Sequence, residues 1–218
     1  MMKILAICGS PRGKNSQTKA LAAEVLKAAR AQGADVDMVD LSEAQIEFCR
    51  ACEACHQKPG CVLHDDANTI LANVLNADGL VLASPVYLNQ VTAQLKTVLD
   101  RSSHFVHCMR LIGKYLAVVT TSGGGGGAQV QAYLKHYGNT VGAQCVGGVD
   151  ARSPLKPADV AAATALGKAL VTAIQTKQQY PDQIQKIELQ KQYFRKLITL
   201  RKDDWPYEYQ FWSNQDWL

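Results

Sequence analysis

KILAICGSPRGKNSQTKALAAEVLKAARAQG, residues 3–33, is the stretch whose reading decides the fold. KILAIC (3–8) is a short β run that breaks at Gly9. The polar loop GSPRGKNSQT (9–18) follows. A helical apolar pattern then runs through TKALAAEVLKAARAQG (18–33) and stops at Gly33. Strand, tight polar loop and helix in that order are the start of a βαβ unit.

The alternation continues down the chain. DVDMVDL (35–41) reads as a second strand, and DDANTILANVLNAD (65–78) as an amphipathic helix with two aspartates in its first turn. GLVLAS (79–84) is a third strand, fully apolar. The loop PVYLNQ leads to a helix over VTAQLKTVLDRS. YLAVVTT (115–121) is a fourth strand ending in SGGGGG. A helix around 128–139, a strand around 141–149 and an Ala-rich helix over 157–177 complete the set. Continuous apolar strands between helices predict a parallel sheet buried on both faces, hence a doubly wound α/β fold. Five strands suit the flavodoxin-like order.

The expected organisation is an α/β domain over residues 1–177, carrying a cysteine-rich loop at 47–64, and an extension over 178–218. The extension pairs an amphipathic pattern (Ile184, Ile187, Phe194, Leu197, Ile198) with DDWPYEYQFWSNQDWL, which holds six of the chain's fifteen aromatics. So aromatic a segment needs a surface to cover it, its own domain or a neighbouring subunit.

The 218 residues suit one α/β domain, and 47% hydrophobic with 19% charged residues allows a sizeable core. A net charge of +4 without a Lys/Arg run argues against a nucleic-acid partner. The start, MMKILAICGSPRG, lacks signal-peptide features, and no apolar stretch is expected to approach the ~20 residues of a membrane helix. The expected location is therefore the cytoplasm, without a membrane partner. Thiols stay reduced there, so clustered cysteines point to metal or redox chemistry.

In an open α/β sheet, ligands bind off the carboxyl ends of the strands. The loop 9–18 lies at such an end and leads into a helix N-terminus, which attracts anions. Ser10, Asn15, Ser16, Gln17 and Thr18 offer donors, and Arg12 adds a charged fork. Three residues separate Gly9 from Gly13 and Asn15 follows Lys14, so this is not a Walker A loop; nor is it G-x-G-x-x-G. A phosphate monoester fits better than a triphosphate. The plainer role of such residues is to cap the helix.

GSPRGKNSQT resembles the phosphate loop of the NADPH-dependent FMN reductase superfamily. SPVYLNQVTAQLKTVLDR (84–101) is similar to that family's second signature, and the likeness runs from Lys3 to Val149. The resemblance implies FMN. Its phosphate would lie on Ser10, Arg12, Asn15, Ser16, Gln17 and Thr18. Its ring system would lie beside Pro85, Val86, Tyr87, Leu88 and Asn89, with Ser122, Gly123, Gly124, Gly125 and Gly126 on the far side.

Four of the seven cysteines stand in CRACEACHQKPGC, spaced Cys49-x2-Cys52-x2-Cys55-x5-Cys61. Structural zinc sites usually join two cysteine pairs about a dozen or more residues apart. Disulfides are disfavoured by compartment, and inert thiols prefer burial to a polar loop. Successive x2 gaps can wrap a 4Fe–4S cluster. Zinc and empty thiols stay open at this point. The segment resembles the cluster-binding loop of the iron–sulfur flavoproteins, a branch of the same superfamily. Cys8 and Cys145 read as core residues. His56 and His64 read as solvated loop histidines. His104 and His107 have no carboxylate or third histidine near them in sequence.

No catalytic triad, H-E-x-x-H or paired-carboxylate motif is present, and Asp65-Asp66 reads as a helix start. The chemistry therefore belongs to cofactors. Three functions are compatible: an iron–sulfur flavoprotein passing electrons between cluster and FMN, an NAD(P)H-dependent FMN or quinone reductase, and a flavin carrier or sensor. The resemblance implies a ferredoxin-like donor or NAD(P)H, a small-molecule acceptor, and a homodimer or homotetramer.

Overall fold

The apolar runs form strands because β-branched and leucine side chains alternate across a sheet covered on both sides. In the computed structural model, which describes residues 1–218, the strands are β1 Lys3–Cys8, β2 Asp35–Asp40, β3 Gly79–Pro85, β4 Tyr115–Ser122 and β5 Gln144–Arg152. All pair in parallel, in the order β2-β1-β3-β4-β5. This is the flavodoxin-like order expected from the sequence. The helices are α1 Gln17–Arg30, α2 Ala54–Gln57, α3 Asp66–Asn76, α4 Ala93–Arg101, α5 Ser103–His107, α6 Gly127–Thr140, α7 Pro157–Thr176, α8 Pro181–Leu200 and α9 Pro206–Asn214.

Period two along the strands separates two cores. Leu5, Ile7, Leu80, Leu82, Leu116 and Val118 face α3, α4 and α6. Ile4, Ala6, Cys8, Val81, Ala117 and Val119 face α1 and α7. Cys8 and Cys145 are buried, as core residues should be. Gly167 sets the closest helix contact. A Cβ there would stand 2.2 Å from the Val25 carbonyl oxygen, so only glycine lets α7 lie against α1.

Two expectations need correction, and two short helices were not foreseen. Strand five begins at Gln144 rather than 141, because α6 continues to Thr140 and the chain then turns. The short helices α2 and α5 carry no sequence period long enough to read. One helix does reach membrane length: α7 has 20 residues, and an 18-residue window within it has a mean hydropathy of 1.2. Its Ala163, Leu166, Leu170 and Val171 are buried against the sheet and α1, so its apolar character is that of a core helix.

In the extension, α8 and α9 build a third apolar cluster on their own chain. Met109, Ile187, Phe194, Ile198 and the fully buried Trp212 form its centre.

Gly167→Val should destabilise the fold by ~1–3 kcal/mol through overpacking. Urea unfolding of the two proteins checks this; equal midpoints would mean that the α1–α7 contact relaxes freely.

Candidate cofactor sites

Parallel strands place all their carboxyl ends on one edge, and the segments after β1, β3, β4 and β5 meet there around a cavity of ≈ 180 Å³. Ser10, Arg12, Gln17 and Thr18 come from the β1 side, and Pro85, Val86 and Tyr87 from β3. Thr121, Ser122 and Gly123 come from β4, and Ser153 follows β5. The Thr18 and Thr121 hydroxyls are 2.6 Å apart, tying α1 to β4. The Gln17 side-chain oxygen accepts from the Leu155 amide at 3.1 Å, tying α1 to the segment after β5.

The remaining residues named from the sequence stand outside this wall. Ser16 caps α1, its hydroxyl accepting from the Lys19 amide at 3.0 Å. Asn15 sits in an exposed 3-10 turn, Gly13–Asn15. Leu88 and Asn89 form an exposed turn with φ of 48° and 59°. Gly124 and Gly125 are not in the wall, and Gly126 packs on Asn89 so closely that a Cβ would lie 2.8 Å from its side-chain oxygen. Thr121 and Ser153 were not singled out from the sequence; their only signal was their place at strand ends. The wall suits a phosphorylated ligand. Ser10, Gln17 and Thr18 supply polar groups beside Arg12, which makes no ion pair within the chain.

A second cavity, ≈ 270 Å³, lies in the loop between β2 and α3. All four clustered cysteines line it, and none is disulfide-bonded. Ala51 (φ 48°) and Glu53 (φ 58°) are left-handed, turning the chain sharply on either side of Cys52. Such conformations cost on the order of 1 kcal/mol each and cluster at ligand-holding segments.

Arg101, at the end of α4, forms part of this wall and is only 1% exposed. Its guanidinium donates to the Glu47 carbonyl (2.8 Å) and to both Asp65 carboxylate oxygens (2.5 and 3.0 Å). Its Nε is buried with no partner in the chain. Burial opposes the charge on Arg101, but Asp65 and the adjacent Cys61 thiol outweigh it and hold its pKa above the usual value. Burial likewise pushes the Asp65 carboxyl up, but the hydrogen bonds from Arg101 and from the Glu47 and Ala67 amides hold it below the usual carboxylate range. Asp65 is thus both the α3 cap expected from the sequence and half of a buried ion pair. A buried cationic side chain beside Cys61, in a wall shared with the other three cysteines, fits a sulfur-rich anionic group. Burial chiefly, with Glu208 nearby, raises the Cys55 pKa against the Ser103 hydrogen bond.

The four-residue helix α2 carries Cys55 and His56, and no side chain caps its start. It is held from the C-terminal extension. His56 Nδ1 lies 2.8 Å from one carboxylate oxygen of Glu208, on α9, and the His56 ring stacks on Trp205 at 4.5 Å. The other Glu208 oxygen lies 3.1 Å from His107 Nδ1, on α5. Trp212 anchors α9, its Nε1 donating to the His107 carbonyl at 2.9 Å. His56 is therefore not a solvated histidine, and His107 does have a carboxylate and a second histidine beside it. Both partners are too distant in sequence to be read there. His64 is exposed, as expected. His104 is buried, and desolvation lowers its pKa to about 4.

Residues 2–153 match the model of the NADPH-dependent FMN reductase family. The chain belongs to that family. It is a flavin-dependent oxidoreductase with FMN as its family cofactor. Its full length is 33% identical, over 225 aligned residues, to an iron–sulfur flavoprotein of Archaeoglobus fulgidus, all of which is covered. It is 39% identical over 101 residues to an iron–sulfur flavoprotein of Methanosarcina thermophila, covering 46% of this chain and 52% of that one. Among solved structures it resembles a flavone reductase (TM-score 0.65, 20% identity, 80% of this chain and 63% of that one). It also resembles an NADH:FMN oxidoreductase in its apo form (0.62, 22%, 84% and 94%). At these identities the structural likenesses show the fold.

Arg101→Met leaves Asp65 buried without its cation, so it should cost ~3–5 kcal/mol near neutral pH. Because the folded state lowers the Asp65 pKa, the ion pair's contribution is complete above about pH 4 and is lost as pH falls through the lowered value. Denaturation at pH 7 and at acid pH should show the gap between wild type and variant closing at acid pH. A pH-independent gap would contradict the ion-pair assignment.

Proposed function

We propose that this chain is a two-centre redox flavoprotein. FMN occupies the cavity at the strand ends, and a 4Fe–4S cluster is held by Cys49, Cys52, Cys55 and Cys61. The observation that carries the reading is the convergence of four unbonded cysteines on one cavity with the buried, unpartnered Nε of Arg101. The whole-length likeness to an iron–sulfur flavoprotein supports it.

The chain's own residues divide the work. Ser10, Arg12, Gln17 and Thr18 bind the FMN phosphate, with Asn15 and Ser16 shaping the turn that presents them. Pro85, Val86 and Tyr87 lie along the ring system, next to Leu88 and Asn89. Ser122, Gly123, Gly124, Gly125 and Gly126 form the opposite loop, where the Ser122 hydroxyl accepts from the Gly125 amide at 3.1 Å and fixes its shape. Arg101 donates into the cysteine cavity, and Glu208 holds the helix that carries Cys55. When bound, FMN supplies two-electron storage and the cluster supplies one-electron exchange. A ferredoxin-like protein gives electrons and a small molecule takes them. The working form is a homodimer or homotetramer in the cytoplasm, with residues 178–218 serving as an appendage to the flavin domain, 1–177.

The family description favours a second reading, an NAD(P)H-dependent reductase in which the cysteines hold no cluster. Rapid mixing of the oxidised protein with NADPH separates the two, since fast bleaching of the flavin supports the second.

Two substitutions test the assignments one site at a time. Cys52→Ser should lose iron and acid-labile sulfide after anaerobic purification while FMN stays stoichiometric; iron retained at the wild-type level would remove Cys52 from the ligand set. Arg12→Ala should weaken FMN binding by ~1.5–3 kcal/mol, the range for a hydrogen bond to a charged group. Fluorescence titration of the apoprotein with FMN measures this, and an unchanged affinity would place the Arg12 charge away from the phosphate.

A further inference from the structure

Three side chains far apart in sequence meet where α2, α5 and α9 converge. His56 Nδ1 and His107 Nδ1 approach the two carboxylate oxygens of Glu208 at 2.8 and 3.1 Å. One ligand-type atom from each residue lies within 4.8 Å of the other two. Glu208 is fully buried, and the two histidines are its only ion-pair partners. A buried carboxylate without compensating positive charge costs several kcal/mol. Here no lysine or arginine supplies that charge, so it comes from a proton on the imidazoles or from a shared cation.

The ring geometry favours a cation. The two imidazoles lie within 23° of parallel with centroids 5.3 Å apart, and each stacks on Trp205, at 4.5 and 4.7 Å. Two imidazoles bound through one nitrogen each at ~2.1 Å, at a near-tetrahedral angle, hold their centroids on the order of 5 Å apart. Neighbouring ligand atoms around such an ion are ~3.0–3.4 Å apart, depending on geometry. The two nitrogen–oxygen contacts, each to a different Glu208 oxygen, lie in that range or within about 0.2 Å of it, and ligand pairs as far apart as 4.8 Å close around the ion.

We infer that His56, His107 and Glu208 form a binding site for a divalent ion of the zinc class. Two imidazole nitrogens and one carboxylate are a donor set that such ions accept, with a position left for water. The histidine side chains are 13% and 21% exposed, which gives an ion a way in. The site shares no ligand with the four cysteines, and it does not depend on their holding a cluster. Bound there, the ion ties the C-terminal helix to the cysteine loop and stabilises the folded chain by mass action.

The test uses anaerobically purified holoprotein, stripped of adventitious metal and dialysed against micromolar free Zn²⁺. Zinc, iron, sulfide and FMN are assayed on one sample. The same is done for His107→Ala, Glu208→Gln and a variant with Cys49, Cys52, Cys55 and Cys61 all changed to Ser. One zinc per chain is expected in wild type and in the four-serine variant. His107→Ala and Glu208→Gln should each bind zinc at least ~10-fold more weakly, since even outer partners of metal ligands are worth that much. Their FMN content should match wild type, which shows that they fold. Zinc binding below a tenth of an equivalent in both wild type and the four-serine variant would overturn the site and leave a hydrogen-bonded His–Glu–His cluster. Zinc bound by wild type but lost in the four-serine variant would also overturn it, by assigning the ion to the cysteines. Iron missing from wild type while the triad still takes zinc would fault the cluster reading alone.

Discussion

Five strands running the same way end on one edge, and both cavities described above are built from segments that follow them. Parallel pairing forces a crossover between successive strands, so the crossover helices cover the faces and the loops after the strands are free to carry function. The β1, β3, β4 and β5 ends close around one cavity. The β2 end leads into the cysteine loop and a second cavity. Two cavities thus come from one topological constraint, set at the same edge of the sheet.

Charge fixes what topology only places. The cysteine loop has little regular structure, and two buried carboxylates pin it from opposite sides. Asp65 holds Arg101 and accepts the Glu47 amide, fixing the start of the loop. Glu208 holds His56, next to Cys55. Neither carboxylate is solvated, so removing the partner of either leaves a charge that the interior cannot accommodate. Short loops around sulfur ligands need such outside support because they have no core of their own.

What was legible in the sequence was what repeats or stands close together. The short apolar runs between helical patterns marked five strands, β1 to the residue, and Asp65-Asp66 announced a helix start. The cysteine spacing marked the second cavity because all its members fall within thirteen residues. The phosphate loop was readable as a loop, but which of its residues face the cavity depends on capping, and Ser16 is taken by its own helix. Contacts between distant segments left no trace. Arg101 meets Asp65 from 36 residues away, and Glu208 meets His107 and His56 from 101 and 152. A histidine with its carboxylate that far along the chain looks solvated until the chain is folded.

The separation of 152 residues between His56 and Glu208 also has a meaning in time. At ~5–20 residues per second, a ribosome needs about 8–30 s to go from one to the other. Throughout that interval α9 does not exist. The contact that holds the cysteine loop to the C-terminal helix therefore forms only after the last helix has been made.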